Sequence, residues 1–341
     1  MNYDILSKKL IKNFKKNNFF GIDDYYSEKV FHPMSYGKYL ESFEILINSN
    51  IYDIQSDLEI TDIFQVNLKI LKQSMNVFKN KKIGFGLSFE WKDFKENESF
   101  LITNLLIYKG LKEASFLKNK KELLENLKNI LLNWPKKNNY FSYAYLNQNT
   151  KPVLNVMAKY LQFLKNEKKT KSFMNHCSPK GLFLKKNDEL PFEYFLQSKN
   201  KKKKDNDTVY DLLHNLYIIE SLIDIDDNHA NLKIYKSILC NFINFDKKYN
   251  IIFFSDNALN KNLIINYNKR PRIWSIGVLI QVLTMLYQKG CFDFKELENF
   301  IISITKYIFS KFNDNELYSK PRQCAHLLHG LSFFLREKHN K

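Results

Sequence analysis

Apolar residues recur three and four positions apart along most of this chain, a spacing typical of amphipathic α-helices. The pattern predicts helices at 3–16, 34–48, 59–79, 98–114, 119–133, 151–165, 207–223, 229–244, 271–288, 293–312 and 321–337. Short aromatic stretches that read as extended pieces interrupt them near residues 20, 85, 141, 181, 251 and 316. We therefore expect an all-α protein with short β pieces between its helices.

Two kinds of helix alternate along the chain. Each extended piece precedes an almost wholly apolar helix, whereas partner helices such as 119–133 and 293–312 carry lysines on one face. Repeated helix pairs of this kind stack or close on themselves to bury their apolar faces. Six pairs with uneven connections predict one domain over residues 1–341, an (α/α)6 toroid of six helical hairpins, with an exposed lysine-rich loop at 190–206.

A closed ring would collect functional groups at one end. The six inner helices would start at the same end, so their N-termini and the extended pieces before them would converge on a central cavity. Helix N-termini carry partial positive charge and favour anionic groups. A candidate site is therefore expected where the inner helices begin.

The net charge of +17 first suggests a nucleic-acid partner or another anionic surface. Only four of the 53 basic residues are arginine, however, and the abundance of Lys, Asn, Ile, Phe and Tyr resembles AT-rich coding. Lysine is then the default surface residue, so no nucleic-acid partner is predicted. Arg270, Arg272 and Arg322 lie at the starts of two apolar helices and are predicted to bind a carboxylate or phosphate, with structural salt bridges as the alternative.

The cysteines and the N-terminal segment indicate in which cellular compartment the protein is found. The four cysteines lie far apart without a CxxC pair, which argues against a zinc knuckle or a disulfide framework. The first residues lack an apolar run of signal-peptide length, and no stretch approaches the roughly 18 apolar residues of a membrane span. These features predict a cytoplasmic protein without membrane insertion. No glycine-rich phosphate loop occurs, and no cofactor is predicted.

The helix that starts near residue 207 carries the main candidate for chemistry. Asp211 and His214 are three residues apart on one helix face, and could form the acid–base pair that hydrolysis, elimination or epimerisation of a sugar requires. Tyr210 could serve as an acid or proton shuttle. The alternative is that Asp211 pairs with a neighbouring inner helix and His214 donates a core hydrogen bond. Glu220, two turns deeper, is predicted to form a buried structural pair.

Other side chains are predicted to line the same end of the cavity and bind substrate. Trp91 and Trp274 could stack on a sugar face, or simply pack in the core. The three arginines would fix an anionic group, and Glu90 and His326 complete the set. His326 and His329 lie three residues apart on the last helix, but no third ligand accompanies them, so no metal site is predicted.

Segments from about residue 20 to 337 resemble, in matching order, a family of bacterial toroid proteins linked to surface-polysaccharide gene clusters. Gly84-Phe-Gly-Leu-Ser-Phe-Glu-Trp91 resembles the family signature Gly-Trp-Gly-x-x-Phe-Asp-Trp-Gln, and Phe141 to Leu146 is similar to Phe-Ser-Tyr-Ser-Pro-Leu. Asp211 to Ser221 is similar to the helix Asp-Ser-Phe-His…Leu-Glu-Ser, and Arg270 to Gln281 resembles the inner helix that follows a polar, His-bearing turn. Departures from the pattern are Phe85 for Trp, Lys92 for Gln, and Arg272 with Trp274 where the turn has His.

The resemblance implies the six-hairpin glycosidase fold, and some members carry the label delta-aminolevulinic acid dehydratase-like. It also implies a carbohydrate-active protein of bacterial surface-polysaccharide biosynthesis or modification. We interpret the chain as an enzyme, a hydrolase, lyase or epimerase, that acts on an acidic saccharide in the central cavity. The alternative is a non-catalytic toroid that binds a glycan or a partner. The expected partners are a saccharide or polysaccharide intermediate and proteins of a polysaccharide-assembly system.

Overall fold

The computed structural model describes residues 2–23, 25–52, 58–96, 98–137, 140–148, 153–166, 211–225, 229–246, 251–254 and 271–341. The chain forms two compact units: unit 1 comprises residues 1–150 and 312–341, and unit 2 comprises residues 151–311. The prediction that residues 1–341 form one toroid domain stays a prediction. The extended piece predicted near residue 181 and the loop predicted at 190–206 lie outside the described residues.

Helices make up most of the described residues. In chain order they are α1 (Asn2–Asn17), α2 (Pro33–Asn48), α3 (Leu58–Gln73), α4 (Leu101–Glu113), α5 (Lys121–Leu132), α6 (Leu154–Asn166), α7 (Leu212–Ile225), α8 (His229–Cys240), α9 (Ile273–Gln288), α10 (Phe294–Lys311), α11 (Asp314–Tyr318) and α12 (Pro321–His339). Unit 2 holds α6 to α10, and unit 1 holds the others. No helix in the described ranges combines the length and apolar character that a membrane crossing requires.

Short antiparallel strand pairs lie between the helices. They are β1 (Phe20–Gly21) with β2 (Val30–Phe31), β3 (Asn76–Phe78) with β4 (Lys81–Gly84), β5 (Lys136–Lys137) with β6 (Tyr140–Phe141), and β7 (Ile243–Asp246) with β8 (Ile251–Phe254). The extended pieces predicted near residues 20, 85, 141 and 251 are confirmed. Each pair carries the chain from an amphipathic helix towards the start of a more apolar one.

Unit 1 is built around α2, which packs against both α4 and α12. These three helices are buried on nearly every face, and α2 and α12 bury charged and polar side chains together with their apolar ones. The amphipathic helices pack outside them: α1 contacts α12 and α3, and α5 contacts α4. On α5 the buried face consists of Leu123, Leu127 and Leu131, four residues apart, as the helical pattern predicts.

Unit 2 repeats this arrangement. Its central helix α7 packs against both α6 and α9, and α10 packs against α9 and β8. Both α7 and α9 are buried almost throughout. In contrast, α10 buries one face through Leu297, Ile301, Ile304 and Ile308. Each unit therefore has three inner helices, buried on nearly every face, and amphipathic helices outside them among its described residues.

A polar residue recurs at the same position of every inner helix. In the described helices α2, α4, α6, α7, α9 and α12, the ninth residue is respectively Glu41, Lys109, Gln162, Glu220, Gln281 and His329. Burial of such groups is costly unless they are paired. Within unit 1, Glu41 contacts Lys109 and His329, and within unit 2, Glu220 contacts Gln281. The pairs favour one axial register, because sliding a helix would leave a buried charge unpaired.

Three predicted elements are wrong in kind or extent. The piece near residue 316 is helical (α11), since Asn313 and Glu316 form a capping box that starts a helix. The helix predicted at 59–79 ends at Gln73, because Lys79 and Asn80 adopt positive φ angles of 46° and 64° and turn β3 back into β4. The helix predicted to reach residue 244 ends at Cys240, before β7. In these last two cases the apolar residues of a strand continued the helical spacing.

Candidate active site

The start of α7 joins a carboxylate, an imidazole and a guanidinium, which we call the Asp211 cluster. Asp211 precedes α7, and its Oδ1 accepts hydrogen bonds from the backbone N–H of His214 at 3.0 Å and from Nδ1 of the same residue at 2.6 Å. The backbone contact is a helix cap, a role that aspartate favours. The other oxygen, Oδ2, accepts a hydrogen bond from Nη2 of Arg272, the residue that precedes α9.

The carboxylate of the Asp211 cluster is strongly acidic. Burial by itself raises the pKa of Asp211, but the charge and hydrogen bonds of His214 and the charge of Arg272 outweigh burial and lower the pKa to about 2. The carboxylate is therefore ionised at neutral pH and keeps a proton on Nδ1 of His214, so proton exchange with a ligand would take place at Nε2. Asp211 orients and polarises the imidazole rather than donating a proton itself.

The Asp211 cluster is partly open to solvent. The side chains of Asp211, His214 and Arg272 are 14%, 15% and 30% exposed. The guanidinium of Arg272 lies 5.6 Å from the centre of the Trp274 ring, within the range of a cation–π contact. The structure therefore brings four of the predicted residues together where α7 and α9 begin. The predicted Tyr210 and Arg270 lie outside the described residues.

Unit 1 contains a second cluster of the same residue types, which we call the Asp23 cluster. Nη2 of Arg322, at the start of α12, lies 3.2 Å from each carboxylate oxygen of Asp23. His32, the residue before α2, places Nδ1 3.6 Å from Asp23 Oδ2 and Nε2 3.3 Å from the carbonyl oxygen of Gly21. The Asp23, His32 and Arg322 side chains are only 0%, 4% and 9% exposed. Sequence reasoning selected Arg322 but missed Asp23 and His32.

Aromatic rings lie on the Asp23 cluster. The guanidinium of Arg322 is 5.9 Å from the centre of the Tyr25 ring, and Tyr25 lies 5.6 Å from Trp91. Trp91 stacks on Phe94 at 5.8 Å, while Lys92 Nζ lies 4.8 Å from the centre of the Trp91 ring. Tyr25 is 53% exposed, so it presents its ring to solvent. We call Tyr25, Trp91 and Phe94 the Tyr25 shelf.

The glycine-bearing segment before α4 fixes the approach to Trp91. Gly84 has a φ of 98°, and a Cβ on Gly86 would lie 1.5 Å from the carbonyl oxygen of Glu98. Asn104 of α4 holds the segment, because its Oδ1 accepts from the Phe85 N–H at 2.9 Å and its Nδ2 donates to the Phe85 carbonyl at 3.0 Å. Gly84 and Gly86 therefore allow this segment to pack closely against the neighbouring backbone and side chains.

The predicted Glu90 lies one residue before Trp91 and is exposed. Trp91 itself closes a two-residue turn, through mutual backbone hydrogen bonds of 3.0 Å with Phe94. Lys92, inside this turn, has a φ of 53°, a left-handed conformation that a lysine rarely adopts. The departure from the family pattern at Lys92 therefore falls at the turn that presents Trp91.

His326 lies in the interior of unit 1. It is 1% exposed, and its Nδ1 donates a 2.7 Å hydrogen bond to the carbonyl oxygen of Arg322, one turn earlier. Burial, aided by the charge of Lys38, lowers the pKa of His326 to about 3. The ring is therefore neutral at physiological pH, and its predicted role in substrate binding stays a prediction.

His329 belongs to a buried charged group, which we call the Glu41 cluster. Glu41 contacts Lys38 at 3.2 Å, Lys109 at 2.9 Å and His329 at 3.2 Å. Burial by itself raises the pKa of Glu41, but these neighbours hold it well below its usual range. Burial and the Lys38 charge lower the pKa of His329 to about 4, against the opposing effect of Glu41. Across the described ranges, no three His, Cys, Asp or Glu side chains form a group that could hold a metal ion.

Glu220 of unit 2 forms the buried structural pair that the sequence predicts. Its Oε1 lies 2.5 Å from Nζ of Lys159 and accepts a 3.0 Å hydrogen bond from Nε2 of Gln281. Glu220 and Lys159 are 1% and 3% exposed. The pair ties the middle of α7 to α6 and α9, two turns away from Asp211.

No protein-family model and no curated protein matches this chain. Solved structures match over nearly the whole chain at low identity. A sugar epimerase from a ruminal bacterium is 12% identical, with a TM-score of 0.62 over 96% of this chain and 98% of its own. An alpha-amylase from Clostridium perfringens is 17% identical, with a TM-score of 0.61 over 97% of both chains. An unsaturated glucuronyl hydrolase specific for heparin is 10% identical, with a TM-score of 0.61 over 99% of this chain and 96% of its own.

These similar proteins include sugar epimerases and glycoside hydrolases. At identities of 9% to 17% the likeness concerns the fold. The helix order, the alternation of apolar and amphipathic helices and the short strand pairs agree with it. The chain therefore has the all-α (α/α)6 toroid fold of six-hairpin glycosidase-like proteins, as its sequence predicts.

Proposed function

We propose that the chain is a carbohydrate-active enzyme that moves a proton at a sugar carbon, with His214 as the proton carrier and Asp211 as the group that orients it. The observation that carries the proposal is the 2.6 Å hydrogen bond between Nδ1 of His214 and Oδ1 of Asp211 at the start of α7. An imidazole oriented by an ionised carboxylate can act as a general base or acid near neutral pH.

The acidity of Asp211 argues against this residue as the general acid of a hydrolysis by two carboxyl groups. That mechanism requires one protonated carboxyl group to deliver a proton to the glycosidic oxygen. With a pKa of about 2, Asp211 is almost fully ionised at neutral pH. Epimerisation or elimination fits better, because the imidazole would remove a proton from a sugar carbon next to a carbonyl or carboxylate group.

The proposed substrate is an acidic saccharide of bacterial surface-polysaccharide biosynthesis or modification, which the protein meets in the cytoplasm beside polysaccharide-assembly proteins. Arg272 supports an acidic group, since it is 30% exposed and has a planar guanidinium suited to carboxylates. The shared fold of a sugar epimerase and a heparin-specific glucuronyl hydrolase agrees with a saccharide ligand. The resemblance to proteins of surface-polysaccharide gene clusters supports a role in surface-polysaccharide biosynthesis or modification.

An assay in D2O distinguishes the reaction types. Acidic oligosaccharides would be incubated with wild type and Asp211→Asn, following deuterium incorporation by NMR, unsaturated-uronate absorbance and new reducing ends. We expect deuterium incorporation or an unsaturated product with wild type, and a loss of at least 100-fold in Asp211→Asn. New reducing ends with neither of these signals would contradict proton abstraction.

Asp293→Asn is the matched control. Asp293 caps α10 as Asp211 caps α7, accepting the Glu296 backbone N–H at 2.8 Å, but it is exposed and has no imidazole partner among the described residues. It separates the loss of charge at a capping residue from the loss of the Asp211–His214 pair. We expect its turnover to equal that of wild type.

A non-catalytic saccharide-binding toroid is the second candidate. The observation that favours it is the engagement of both Asp211 oxygens by His214 and Arg272, which is also what a purely structural aspartate would show. Saccharide binding without turnover, unchanged in Asp211→Asn, would support this candidate.

A further inference from the structure

The Tyr25 shelf has no part in the proposed proton transfer. We propose that Tyr25 is a stacking platform for a neutral pyranose unit, and that Asp23 and Arg322 are positioning residues that hold its ring in place. The inference rests on the proposed function in so far as the ligand is a saccharide. It adds a binding surface in unit 1, and it assigns that surface a neutral sugar unit rather than an acidic one.

Tyr25 is exposed but firmly held. Its backbone N–H donates a 3.1 Å hydrogen bond to Oδ1 of Asp23, and its ring contacts the guanidinium of Arg322 and the ring of Trp91. A ring fixed from below loses little conformational entropy when a ligand stacks on it. Aromatic faces suit the C–H surface of a pyranose because both are apolar and flat.

The ion pair of Asp23 and Arg322 next to the Tyr25 ring supports this role of Tyr25. Asp23 and Arg322 are almost fully buried, and removing two charges from water is costly even when they are paired. Arg322 contacts both carboxylate oxygens of Asp23, so its charge is already balanced inside unit 1. Arg322 therefore supports the Tyr25 ring and is not the ligand of a substrate carboxylate.

Local charge selects a neutral ligand. The segment around Trp91 carries exposed Glu90, Asp93 and Glu96 against Lys92 and Lys95, an acidic balance in a chain whose net charge is +17. Glu28 and Glu96 act on Tyr26, the neighbour of Tyr25, and like-charge repulsion from these carboxylates disfavours a uronate. Beside Tyr25, the hydroxyl of Tyr26 donates to Glu28 at 3.1 Å, and this hydrogen bond together with the Glu28 and Glu96 charges raises the pKa of Tyr26.

Trp91 offers a donor next to the platform. Its Nε1 is buried and has no acceptor among the described residues, which is unusual because buried polar groups are nearly always paired. Lys92 lies over one face of the same ring and is exposed, so it can move away.

Isothermal titration with cellopentaose and mannopentaose as neutral probes and pentagalacturonate as the acidic probe tests the shelf. We expect Tyr25→Ala to weaken binding of a neutral probe about two- to tenfold and to leave binding of pentagalacturonate unchanged. Tyr25→Phe, which keeps the ring, should stay close to wild type. Phe78→Ala is the matched control, since Phe78 is an exposed aromatic residue of unit 1, on β3.

The positioning role has its own readout. Asp23→Asn should weaken binding of the neutral probes as Tyr25→Ala does, and leave pentagalacturonate binding unchanged, because it loosens the Tyr25 ring. Circular dichroism and urea unfolding would confirm that this variant is folded.

Three results would overturn the shelf: equal affinity of Tyr25→Ala and wild type for the neutral probes, an equal loss of pentagalacturonate affinity in Tyr25→Ala, or no binding of any neutral probe. The proposed function fails separately, when wild type and Asp211→Asn show the same turnover. Turnover that requires Asp211, together with neutral-probe binding that is insensitive to Tyr25→Ala, would leave the proposed function standing and remove only the shelf.

Discussion

Both units place an aspartate, a histidine and an arginine where inner helices begin, yet the two clusters differ in solvent access and in how the imidazole is held. In the Asp211 cluster the imidazole lies 2.6 Å from the carboxylate and the side chains are 14% to 30% exposed. In the Asp23 cluster the corresponding distance is 3.6 Å, and exposure is at most 9%. On this difference rest the two proposed roles, ligand chemistry for the Asp211 cluster and support of an aromatic ring for the Asp23 cluster.

Burial decides between these roles. A fully buried ion pair cannot exchange a proton with a ligand, and its main effect is to fix the structure around it. A partly exposed pair keeps a strong hydrogen bond while its histidine remains within reach of a ligand. The comparison leads to four expected outcomes, ordered from the largest effect to the smallest.

Asp23→Ala should be the most destabilising of the changes considered. It would leave Arg322 buried without its carboxylate, which costs roughly 3–5 kcal/mol in the free energy of unfolding. Asp211→Ala should cost less, since the partly exposed Arg272 can turn to water. Urea unfolding of both variants gives the comparison, and equal losses would show that the two clusters are not distinguished by burial.

His214→Gln should reduce turnover by about 10²- to 10⁴-fold, because glutamine cannot exchange a proton near neutral pH. Its free energy of unfolding should change by about 1 kcal/mol at most, the usual size for one hydrogen bond. His339→Gln, at an exposed residue near the end of α12, is the control for histidine loss. Wild-type turnover in His214→Gln would remove the imidazole from the mechanism.

The buried histidines of unit 1 and Asp211 of unit 2 should lose their contributions to stability in different acid ranges. His329 of unit 1 has a folded pKa of about 4, below the usual 6.5, so the unfolded chain binds its proton first and stability falls as the pH drops from about 6.5 to 4. This shift of the His329 pKa corresponds to about 3 kcal/mol in the free energy of unfolding. Buried His326, with a pKa of about 3, contributes in the same direction.

Asp211 of unit 2 acts in a lower range. Its folded pKa of about 2 lies below the usual 3.8, so its contribution is complete above the usual value and is lost as the pH falls through about 2. The lowered pKa of Asp211 contributes about 2 kcal/mol to the free energy of unfolding. Urea unfolding at pH 7, 5 and 3 should show that Asp211→Asn lacks only the stability change of the lower pH range. If this variant also lacks the stability change of the upper pH range, the assignment to Asp211 is contradicted.

Arg272→Lys should have the smallest effect on stability, about 1 kcal/mol or less, because a partly exposed lysine keeps the charge although it loses the planar fork. Arg322→Lys should cost more, since its pair with Asp23 is almost fully buried and an ammonium placed differently from Nη2 would leave the carboxylate unpaired. Thermal unfolding of both variants measures the difference. A larger loss for Arg272→Lys would reverse the roles assigned to the two clusters.

Helical periodicity was enough to predict the class and most of the elements, because inner and outer helices differ in apolar pattern along their own sequences. It failed where turn chemistry ended a helix early, at Lys79 and Asn80, and where a capping box started one, at Asn313. Spacing also placed Asp211 and His214 on one face, since both belong to one helix start. Asp23 and His32 were missed because no local pattern marks them.

Residues close in sequence determined what the sequence alone could show: the helices, the six repeated pairs, the shared face of Asp211 and His214, and the burial of Glu220. The tertiary structure decided which arginine meets which carboxylate. Arg272 lies 61 residues from Asp211, and Arg322 lies 299 residues from Asp23. The physical reason is that burial and pairing arise between distant segments, so whether an Asp–His–Arg set is open for chemistry or closed as support depends on the packing around it.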